Sequence, residues 1–260
     1  MELPQIGFGT WRIKDHREGV DSVKLALETG YRLIDTAQIY GNETAVGAGI
    51  IASSIPRGDV YLTTKIWTEN FAAHLVAPSF EESLAKLQTD YVDLILLHWP
   101  KPHRQEAYAE LEKLHDAGTA KHIGVSNYTI RHLEELLSAC RVKPAVNQVE
   151  LHVYLQQPEL RAFCRQNGIA VEAYSPLVHG HRLDHVVLKE LAAKYGKTQA
   201  QIMLRWCIDA GTIPLPKSVT PERIRSNFDI LDFQLDEGDM KQLKLLEEGY
   251  RNSDDPAHMP

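Results

Sequence analysis

The sequence predicts an α/β protein that folds as a single-domain (β/α)8 TIM barrel spanning residues 1–260. Short runs rich in β-branched residues alternate with longer runs whose apolar residues recur at helical spacing, and this alternation favours a parallel sheet. Eight strand candidates occur, several of them continuously apolar, as is typical of strands buried on both faces. A barrel of this kind typically needs about 250 residues, so the chain of 260 residues has the length of one barrel.

The predicted elements follow one another without a linker or a shift in composition. The strand candidates are residues 6–10, 32–36, 60–66, 92–98, 122–127, 145–150, 170–175 and 212–217. The helical stretches are residues 18–29, 79–87, 185–194, 198–209, 221–228 and 236–248, with further helical spacing around 111–114, 133–137 and 160–163. Ser79, Pro158 and Pro221 are residue types that commonly begin helices. The polar segment from about residue 252 is predicted to be a short surface tail.

A doubly wound open sheet is the structural alternative. It would carry a glycine-rich turn after an early strand. Gly7 and Gly9 form part of such a pattern, but Trp11 and Arg12 follow where the turn should continue. The sequence therefore favours closure into a barrel.

The composition restricts the partners and the compartment. Lys and Arg number 28 against 35 Asp and Glu, a formal net charge of -7, which argues against nucleic-acid and membrane partners. Three widely spaced cysteines, Cys140, Cys164 and Cys207, indicate free thiols in a reducing compartment. The start, residues 1–4, has no secretory pattern, and apolar runs such as 94–97 are too short to span a bilayer. We predict a cytoplasmic protein, and a monomer because no surplus amphipathic helix stands out.

Polar and aromatic side chains recur where the predicted strands end, which is where a barrel of this class carries its active site. In chain order they are Thr10, Trp11, Asp35, Tyr40, Lys65, Trp67, His98, Trp99, Ser126, Asn127, Gln148, Glu150, Tyr174, Ser175, Lys217 and Ser218. We expect these side chains to share one mouth of the barrel.

Four of these residues suggest a proton-transfer site. A carboxylate at Asp35 would keep Lys65 charged, and a charged ammonium beside the phenol of Tyr40 would lower its pKa toward neutrality. Such a phenol can donate a proton near neutral pH, and His98 can hydrogen-bond the same substrate oxygen. Trp11, Trp67 and Trp99 would supply apolar walls. Each residue taken alone also has a purely structural explanation. Asp35 could cap a turn and Lys65 could form a surface ion pair. His98 could be a buried core histidine and Tyr40 an ordinary packing aromatic. Their occurrence at consecutive strand ends is what favours a site.

The motifs around these residues resemble the aldo-keto reductase family. The resemblance rests on segments that run in family order from residue 6 to residue 233: Asp35-Thr36-Ala37 with Tyr40, Asn42 and Glu43; Thr64-Lys65; Leu96-Leu97-His98-Trp99-Pro100; Gly124-Val125-Ser126-Asn127; Asn147-Gln148-Val149-Glu150; and Pro216-Lys217-Ser218-Val219 with Arg223 and Asn227. Within the family, the sequence is similar to bacterial members that reduce 2,5-diketo-D-gluconate.

The resemblance implies roles for individual positions. Tyr40 would be the general acid, Asp35 and Lys65 its tuning pair, and His98 the substrate-orienting group. Cofactor contacts are implied for Thr10, Trp11, Asp35, Ser126, Asn127, Gln148, Tyr174, Ser175, Leu177, Lys217, Ser218, Arg223 and Asn227. Substrate contacts are implied for Trp11, Tyr40, Trp67, His98 and Trp99. The implied reaction is NADPH-dependent reduction of aldehydes or ketones, with diketo-sugars and methylglyoxal among the candidate substrates, and without a metal.

The preference for NADPH also has a chemical basis of its own. The start of a predicted helix combines cationic and hydroxyl donors, from Lys217, Ser218 and Arg223, with a helix N-terminus, which suits the 2′-phosphate.

Two departures from the family pattern occur. Val153 follows His152 where many members have proline, and the loops that cover the substrate in longer relatives are short here, which predicts an open pocket.

Three other functions remain open from the residues alone. Lys65 could form a Schiff base as in barrel aldolases, although Asp35 would oppose this by keeping it charged. The chain could bind a nicotinamide without turnover, as a redox sensor. A metal hydrolase could use Asp35 with His98, His122 and His152, although no His-x-His pair ends a strand.

Overall fold

The computed structural model describes residues 3–260, in which eight parallel strands form one sheet ordered β1 to β8 along the chain. Met1 and Glu2, which belong to the segment used above to predict the absence of a secretory signal, lie outside the described residues. The strands are β1 (Gly7–Gly9), β2 (Leu33–Asp35), β3 (Tyr61–Ile66), β4 (Val92–Leu97), β5 (Ala120–Ser126), β6 (Val146–Glu150), β7 (Ala170–Tyr174) and β8 (Ile213–Pro214). All eight predicted strands and the single-domain (β/α)8 barrel are confirmed.

The last strand returns to the first, which closes the sheet. The backbone N–H of Gly9 donates to the carbonyl of Pro216 over 3.0 Å, just beyond β8. The two segments run so close together that a Cβ on Gly9 would lie 3.0 Å from the carbonyl oxygen of Leu215. A larger residue would push the neighbouring backbone away by a few tenths of an ångström, which favours glycine here.

Ten α-helices surround the sheet within the described residues. They are α1 (His16–Thr29), α2 (Glu43–Ala52), α3 (Ala73–Leu87), α4 (Arg104–Asp116), α5 (Ile130–Ala139), α6 (Pro158–Gln166), α7 (Val186–Tyr195), α8 (Gln199–Asp209), α9 (Pro221–Phe228) and α10 (Glu237–Lys244). Pro158 and Pro221 begin helices as predicted, because a proline at the first helical position gives up only an N–H that the helix does not use.

Two helical predictions need correction. Helix α2 was not predicted because it contains Gly47 and Gly49 and has no polar face. Those glycines are needed for packing: a Cβ at Gly47 would overlap the backbone of Leu87 at the end of α3. The prediction that Ser79 begins a helix is wrong. Helix α3 starts six residues earlier, at Ala73, and accommodates Pro78 in its interior.

Alternate strand positions divide the core into two parts. Ile95 and Leu97 of β4 belong to the large apolar layer between sheet and helices. Leu94 and Leu96 of the same strand form a separate small cluster with Val146 of β6. The same sheet also carries buried polar side chains, among them Lys65 on β3, Gln148 on β6 and Glu172 on β7. Over residues 3–260, no helix is long and apolar enough to cross a membrane.

Candidate active site

A cavity of about 1000 Å³ opens at the carboxyl ends of the strands and brings together most of the residues predicted from the sequence. The predicted residues that line it are Trp11, Asp35, Tyr40, Trp67, His98, Trp99, Ser126, Asn127, Gln148, Tyr174, Ser175, Leu177, Lys217, Ser218, Arg223 and Asn227. Its volume lies within the usual size range of small-molecule and cofactor sites.

Thr10 is a predicted cofactor residue that the structure does not bring to the cavity wall. Its side chain is fully buried, and its hydroxyl donates to the backbone carbonyl of Asp35 over 2.9 Å. The side chain of Asn42 in turn donates to the carbonyl of Thr10. This placement does not fit the predicted direct contact of the Thr10 side chain with a cofactor. Its hydroxyl instead ties the end of β1 to the end of β2.

Lys65 lies behind the cavity wall and connects Asp35 to Tyr40. Its ammonium nitrogen donates to both carboxylate oxygens of Asp35 at 2.7 Å, to the carbonyl of Thr36 at 2.9 Å, and to the phenol oxygen of Tyr40 at 3.2 Å. Burial alone would lower the pKa of Lys65, but the charge and hydrogen bonds of Asp35 more than compensate and raise it. Lys65 is therefore a charged, fully hydrogen-bonded group.

The phenol of Tyr40 remains protonated in this environment. Burial is the largest influence and raises the pKa of Tyr40 above its ordinary value, Asp35 raises it further, and Lys65 opposes both. The predicted net lowering toward neutrality is therefore wrong for the protein alone, because desolvation of the phenolate outweighs the neighbouring ammonium. Lys65 limits the increase, and the phenol is held as a proton donor rather than as a phenolate.

His98 and Trp67 complete the wall beside Tyr40. The ring of His98 meets those of Tyr40 and Trp67 edge-on, with centroids 5.7 and 5.3 Å apart. Burial, and then the charge of Lys65, lower the pKa of His98 well below its usual value, so the imidazole is neutral. Its buried Nδ1 has no hydrogen-bond partner among residues 3–260. A neutral imidazole next to the phenol can share a substrate oxygen with it.

Amide and hydroxyl groups at the carboxyl ends of β5 and β6 form another part of the cavity wall. Asn127 adopts a left-handed backbone conformation with φ of 66°, and its side-chain nitrogen donates to the carbonyl of His98 and to the hydroxyl of Ser126. The Ser126 hydroxyl donates to the backbone carbonyl of Gln148. These bonds hold the side chains of Ser126 and Asn127, two of the predicted cofactor residues, in fixed orientations between β5 and β6.

The C-terminal segment docks onto this wall. The carboxylate of Glu150 accepts hydrogen bonds from the backbone and side chain of Asn252 and from the backbone and hydroxyl of Ser253. His152 provides a further contact to Glu150 at 3.0 Å. Burial would raise the pKa of Glu150, but these hydrogen bonds lower it to about 2. The predicted surface tail is thus attached to the barrel at its first residues.

This attachment reaches Tyr174, the aromatic residue at the end of β7. The Tyr174 hydroxyl donates to the side-chain oxygen of Asn127 over 2.8 Å and lies at the same distance from the hydroxyl of Ser253. The ring of Tyr174 is therefore held by Asn127, which follows β5, and by Ser253 of the C-terminal segment. Sequence reasoning missed Asn252 and Ser253, because the residues they bind lie about a hundred positions away.

The far end of the cavity is cationic. Lys217 and Arg223 are exposed, whereas the hydroxyl of Ser218 is buried and accepts from the backbone N–H of Thr220, which precedes helix α9. Burial and the nearby charge of Arg12 lower the pKa of Lys217, opposed by Glu18. Arg12 also lines the cavity and was missed by the sequence analysis, although its position next to Trp11 could have suggested it.

Comparison with known proteins identifies the family of the chain. The profile described as Aldo/keto reductase family matches residues 5–248. Glyoxal reductase of Bacillus subtilis (strain 168) is 44% identical over 260 residues, covering 100% of this chain and 94% of the relative. Methylglyoxal reductase DkgA of Escherichia coli (strain K12) is 42% identical over 259 residues, covering 98% and 93%.

Solved structures with the same fold include two enzymes of this type. An aldo-keto reductase from a Medee basin deep-sea metagenome library superposes with a TM-score of 0.97 at 42% identity, covering 100% of this chain and 97% of that one. A Bombyx mori aldo-keto reductase in complex with NADP gives a TM-score of 0.93 at 35% identity, covering 99% and 94%. The chain therefore belongs to the aldo/keto reductase family of oxidoreductases.

Proposed function

We propose that the protein reduces aldehydes or ketones to alcohols with NADPH, using Tyr40 as the proton donor. The observation that carries the proposal is the contact between Lys65 and the phenol of Tyr40, with Asp35 holding the ammonium from the other side. A protonated phenol at the wall of a large cavity can deliver a proton to a carbonyl oxygen. The Bombyx mori relative solved with NADP supports the choice of cofactor.

The cavity residues fit a nicotinamide dinucleotide at both ends. The side-chain oxygens of Ser126, Asn127 and Gln148 can accept hydrogen bonds from a carboxamide N–H2 group, since their own hydrogens are donated within the protein. The fixed ring of Tyr174 offers a flat face for stacking. At the other end, Lys217 and Arg223 flank the start of α9, where cations and a helix N-terminus together suit a phosphate. Asn227, buried on the same helix, would contact the adenine. NADPH, when bound, supplies the hydride.

The protein's own residues handle the proton and the oxygen. Tyr40 donates its phenolic hydrogen to the carbonyl oxygen as negative charge develops there, and Lys65 stabilises the resulting phenolate. The neutral ring of His98 donates a second hydrogen bond to the same oxygen. A Schiff-base role for Lys65 does not suit this arrangement, because Asp35 keeps the amine protonated and it reaches the cavity only through Tyr40.

Small dicarbonyl compounds are the proposed substrate class. Trp67 and Trp99 line the cavity beside the phenol, and only the residues from His98 to the start of α4 at Arg104 separate β4 from the following helix. A short loop covers little of the substrate, which suits compact and varied carbonyls. The relatives named glyoxal reductase and methylglyoxal reductase support this choice. Diketo-gluconate, suggested by the sequence resemblance, is the larger candidate.

A screen of NADPH oxidation tests the proposed function. The purified protein would be assayed with glyoxal, methylglyoxal, aromatic aldehydes, ketoses and 2,5-diketo-D-gluconate, comparing kcat/KM. We expect steady turnover with a carbonyl substrate and the highest kcat/KM with the small dicarbonyls. Binding of NADPH without turnover of any carbonyl would reject the enzymatic function and favour a nicotinamide-binding sensor. A highest kcat/KM with the diketo-sugar would correct the substrate class.

A further inference from the structure

A second buried carboxyl group, Glu172 on β7, lies inside the barrel and has no role in the proposed chemistry. Its side chain is 0% exposed. One oxygen, Oε2, accepts a hydrogen bond from the side-chain nitrogen of Gln148 over 2.8 Å. The other, Oε1, has no hydrogen-bond partner among residues 3–260. A buried carboxyl left half-bonded is costly unless it serves a purpose or carries a proton.

The Gln148 amide joins Glu172 to the proposed catalytic residues. Its nitrogen donates to Asp35 Oδ1 over 2.7 Å as well as to Glu172. A primary amide nitrogen has two hydrogens, so the two carboxyls use both of them. The amide oxygen of Gln148 is then the only polar atom of this side chain left for the cavity. It can accept from a carboxamide N–H2 group but cannot donate to one.

The charges around Glu172 do not balance when it is ionised. The groups that face it are Asp35 from β2, Lys65 and Tyr61 from β3, and Gln148 from β6. Lys65 already forms an ion pair with Asp35. An ionised Glu172 therefore adds a net negative charge to the barrel interior. Burial first, and Asp35 second, raise the pKa of Glu172 to about 7, with Gln148 and Lys65 opposing.

We propose that Glu172 is a positioning residue of the active site, which fixes the orientation of Gln148 and, through its own charge, sets the pH range in which Tyr40 donates a proton. The inference rests on the proposed function, since it concerns the proton donor of that reaction. Glu172 itself is not among the residues that line the cavity. It acts through the Gln148 amide and through the Asp35–Lys65 pair.

The direction of the effect follows from electrostatics. The groups around Tyr40 are Lys65, Asp35, His98 and Tyr174. A negative charge on Glu172 offsets part of the field of Lys65, so the Tyr40 phenolate is less stabilised and the phenol is a weaker acid. A neutral Glu172 leaves the ammonium uncompensated and makes the phenol more acidic. Ionisation of Glu172 therefore shifts the alkaline limit of reduction to higher pH.

The first test is the pH profile of kcat/KM for methylglyoxal reduction by the wild type and by Glu172→Gln, from about pH 5 to about pH 12, because the alkaline limb reports the raised pKa of Tyr40. The substituted side chain retains an oxygen that accepts from Gln148, so this variant removes the charge and keeps that hydrogen bond. We expect the wild type to show an ionisation near pH 7 that the variant lacks. We also expect the alkaline limb of the variant to lie at lower pH by about one unit.

Two further variants separate charge from shape. Thr63 lies on β3, the strand that also carries Lys65, and its buried hydroxyl has no hydrogen-bond partner among residues 3–260. Thr63→Val removes this hydroxyl without a change of charge and should leave the pH profile unchanged. Glu172→Leu removes the acceptor as well as the charge, so it should weaken NADPH binding, measured by fluorescence, several-fold more than Glu172→Gln does.

The outcomes distinguish the inference from the proposed function. A wild type that oxidises NADPH with methylglyoxal, combined with identical profiles for wild type and Glu172→Gln, overturns the inference alone. The same shift in Thr63→Val also overturns it, because the effect would then come from packing. No carbonyl turnover in the wild type overturns the proposed function and this inference together.

Discussion

The ammonium group of Lys65 donates a hydrogen bond to the phenol oxygen of Tyr40 over 3.2 Å, while both oxygens of Asp35 hold the same ammonium at 2.7 Å. Because Lys65 is fully buried, its charge acts on Tyr40 without screening by solvent. The arrangement places a permanent positive charge next to the atom that would lose a proton. The predictions below test this arrangement and the cavity built around it.

Loss of the Asp35 charge should leave Lys65 as a buried cation without a counter-ion. We expect Asp35→Asn to lower the free energy of unfolding by about 3–5 kcal/mol and to reduce turnover strongly, since breaking one partner of a buried ion pair is costly. Urea denaturation and NADPH oxidation would measure the two effects. Asp21→Asn, which removes one partner of the exposed pair with Arg17, is the control and should change neither.

The cationic end of the cavity should determine the choice between NADPH and NADH. We expect the double variant Lys217→Ala with Arg223→Ala to reduce the ratio of kcat/KM for NADPH over NADH by about 10- to 100-fold, because each contact to a phosphate is charge-assisted. Arg225→Ala removes a cation from the same helix that does not line this cavity, and serves as the control. An unchanged ratio in the double variant would reject the phosphate site.

The contact between Ser253 and Tyr174 should stabilise the cofactor wall. Ser253→Ala removes the hydroxyl that lies 2.8 Å from the Tyr174 oxygen and donates to Glu150. We expect a several-fold weaker affinity for NADPH and a loss of about 1 kcal/mol in unfolding free energy. Ser138→Ala, at an exposed helix position, provides the control. Equal NADPH affinity in Ser253→Ala and the wild type would mean that the C-terminal segment does not position Tyr174.

The raised pKa of Glu172 predicts a pH-dependent stability. An unfolded glutamate titrates at about pH 4.3, whereas burial and Asp35 raise the pKa of Glu172 in the folded protein to about 7. The folded state therefore holds the proton more tightly, and this contribution to stability falls by up to about 3 kcal/mol as the pH rises from about 4 to about 7. Glu172→Gln removes this dependence.

The measurement is the difference in Tm between Glu172→Gln and the wild type across this pH range. The difference should grow in favour of the variant as the pH rises toward 7 and then level off. Glu190→Gln, at an exposed position of α7, should give no such trend. A constant difference between Glu172→Gln and the wild type would show that Glu172 does not take up a proton on folding.

The strands and the mouth of the barrel could be predicted from the sequence because local patterns determine them. Short β-rich runs alternating with helical stretches identified all eight strands, several of them as continuous apolar runs. The rule that parallel strands present their carboxyl ends together gathered Asp35, Tyr40 and His98. Helix α2 escaped prediction because Gly47, which lowers helix propensity, is required by a contact with the backbone of Leu87 in another helix.

Long-range contacts account for the rest of what was missed. Glu150 binds Ser253 across 103 positions of sequence, which no local pattern reveals. The direction of the Tyr40 pKa shift depends on how far burial of the phenol outweighs the charge of Lys65. That balance depends on the three-dimensional surroundings of Tyr40, which no sequence pattern reveals. Glu172 did carry a local signal, since a charged residue in the middle of a buried strand is unusual.

The most direct test of the proposed mechanism is Tyr40→Phe, measured for NADPH-dependent carbonyl reduction and for NADPH binding. Phenylalanine retains the ring that packs beside His98 and removes only the phenolic hydroxyl. We predict a fall in kcat/KM on the order of 10²–10⁴-fold, with the Kd for NADPH unchanged within about twofold. Turnover close to that of the wild type would contradict the account, as would loss of NADPH binding in this variant.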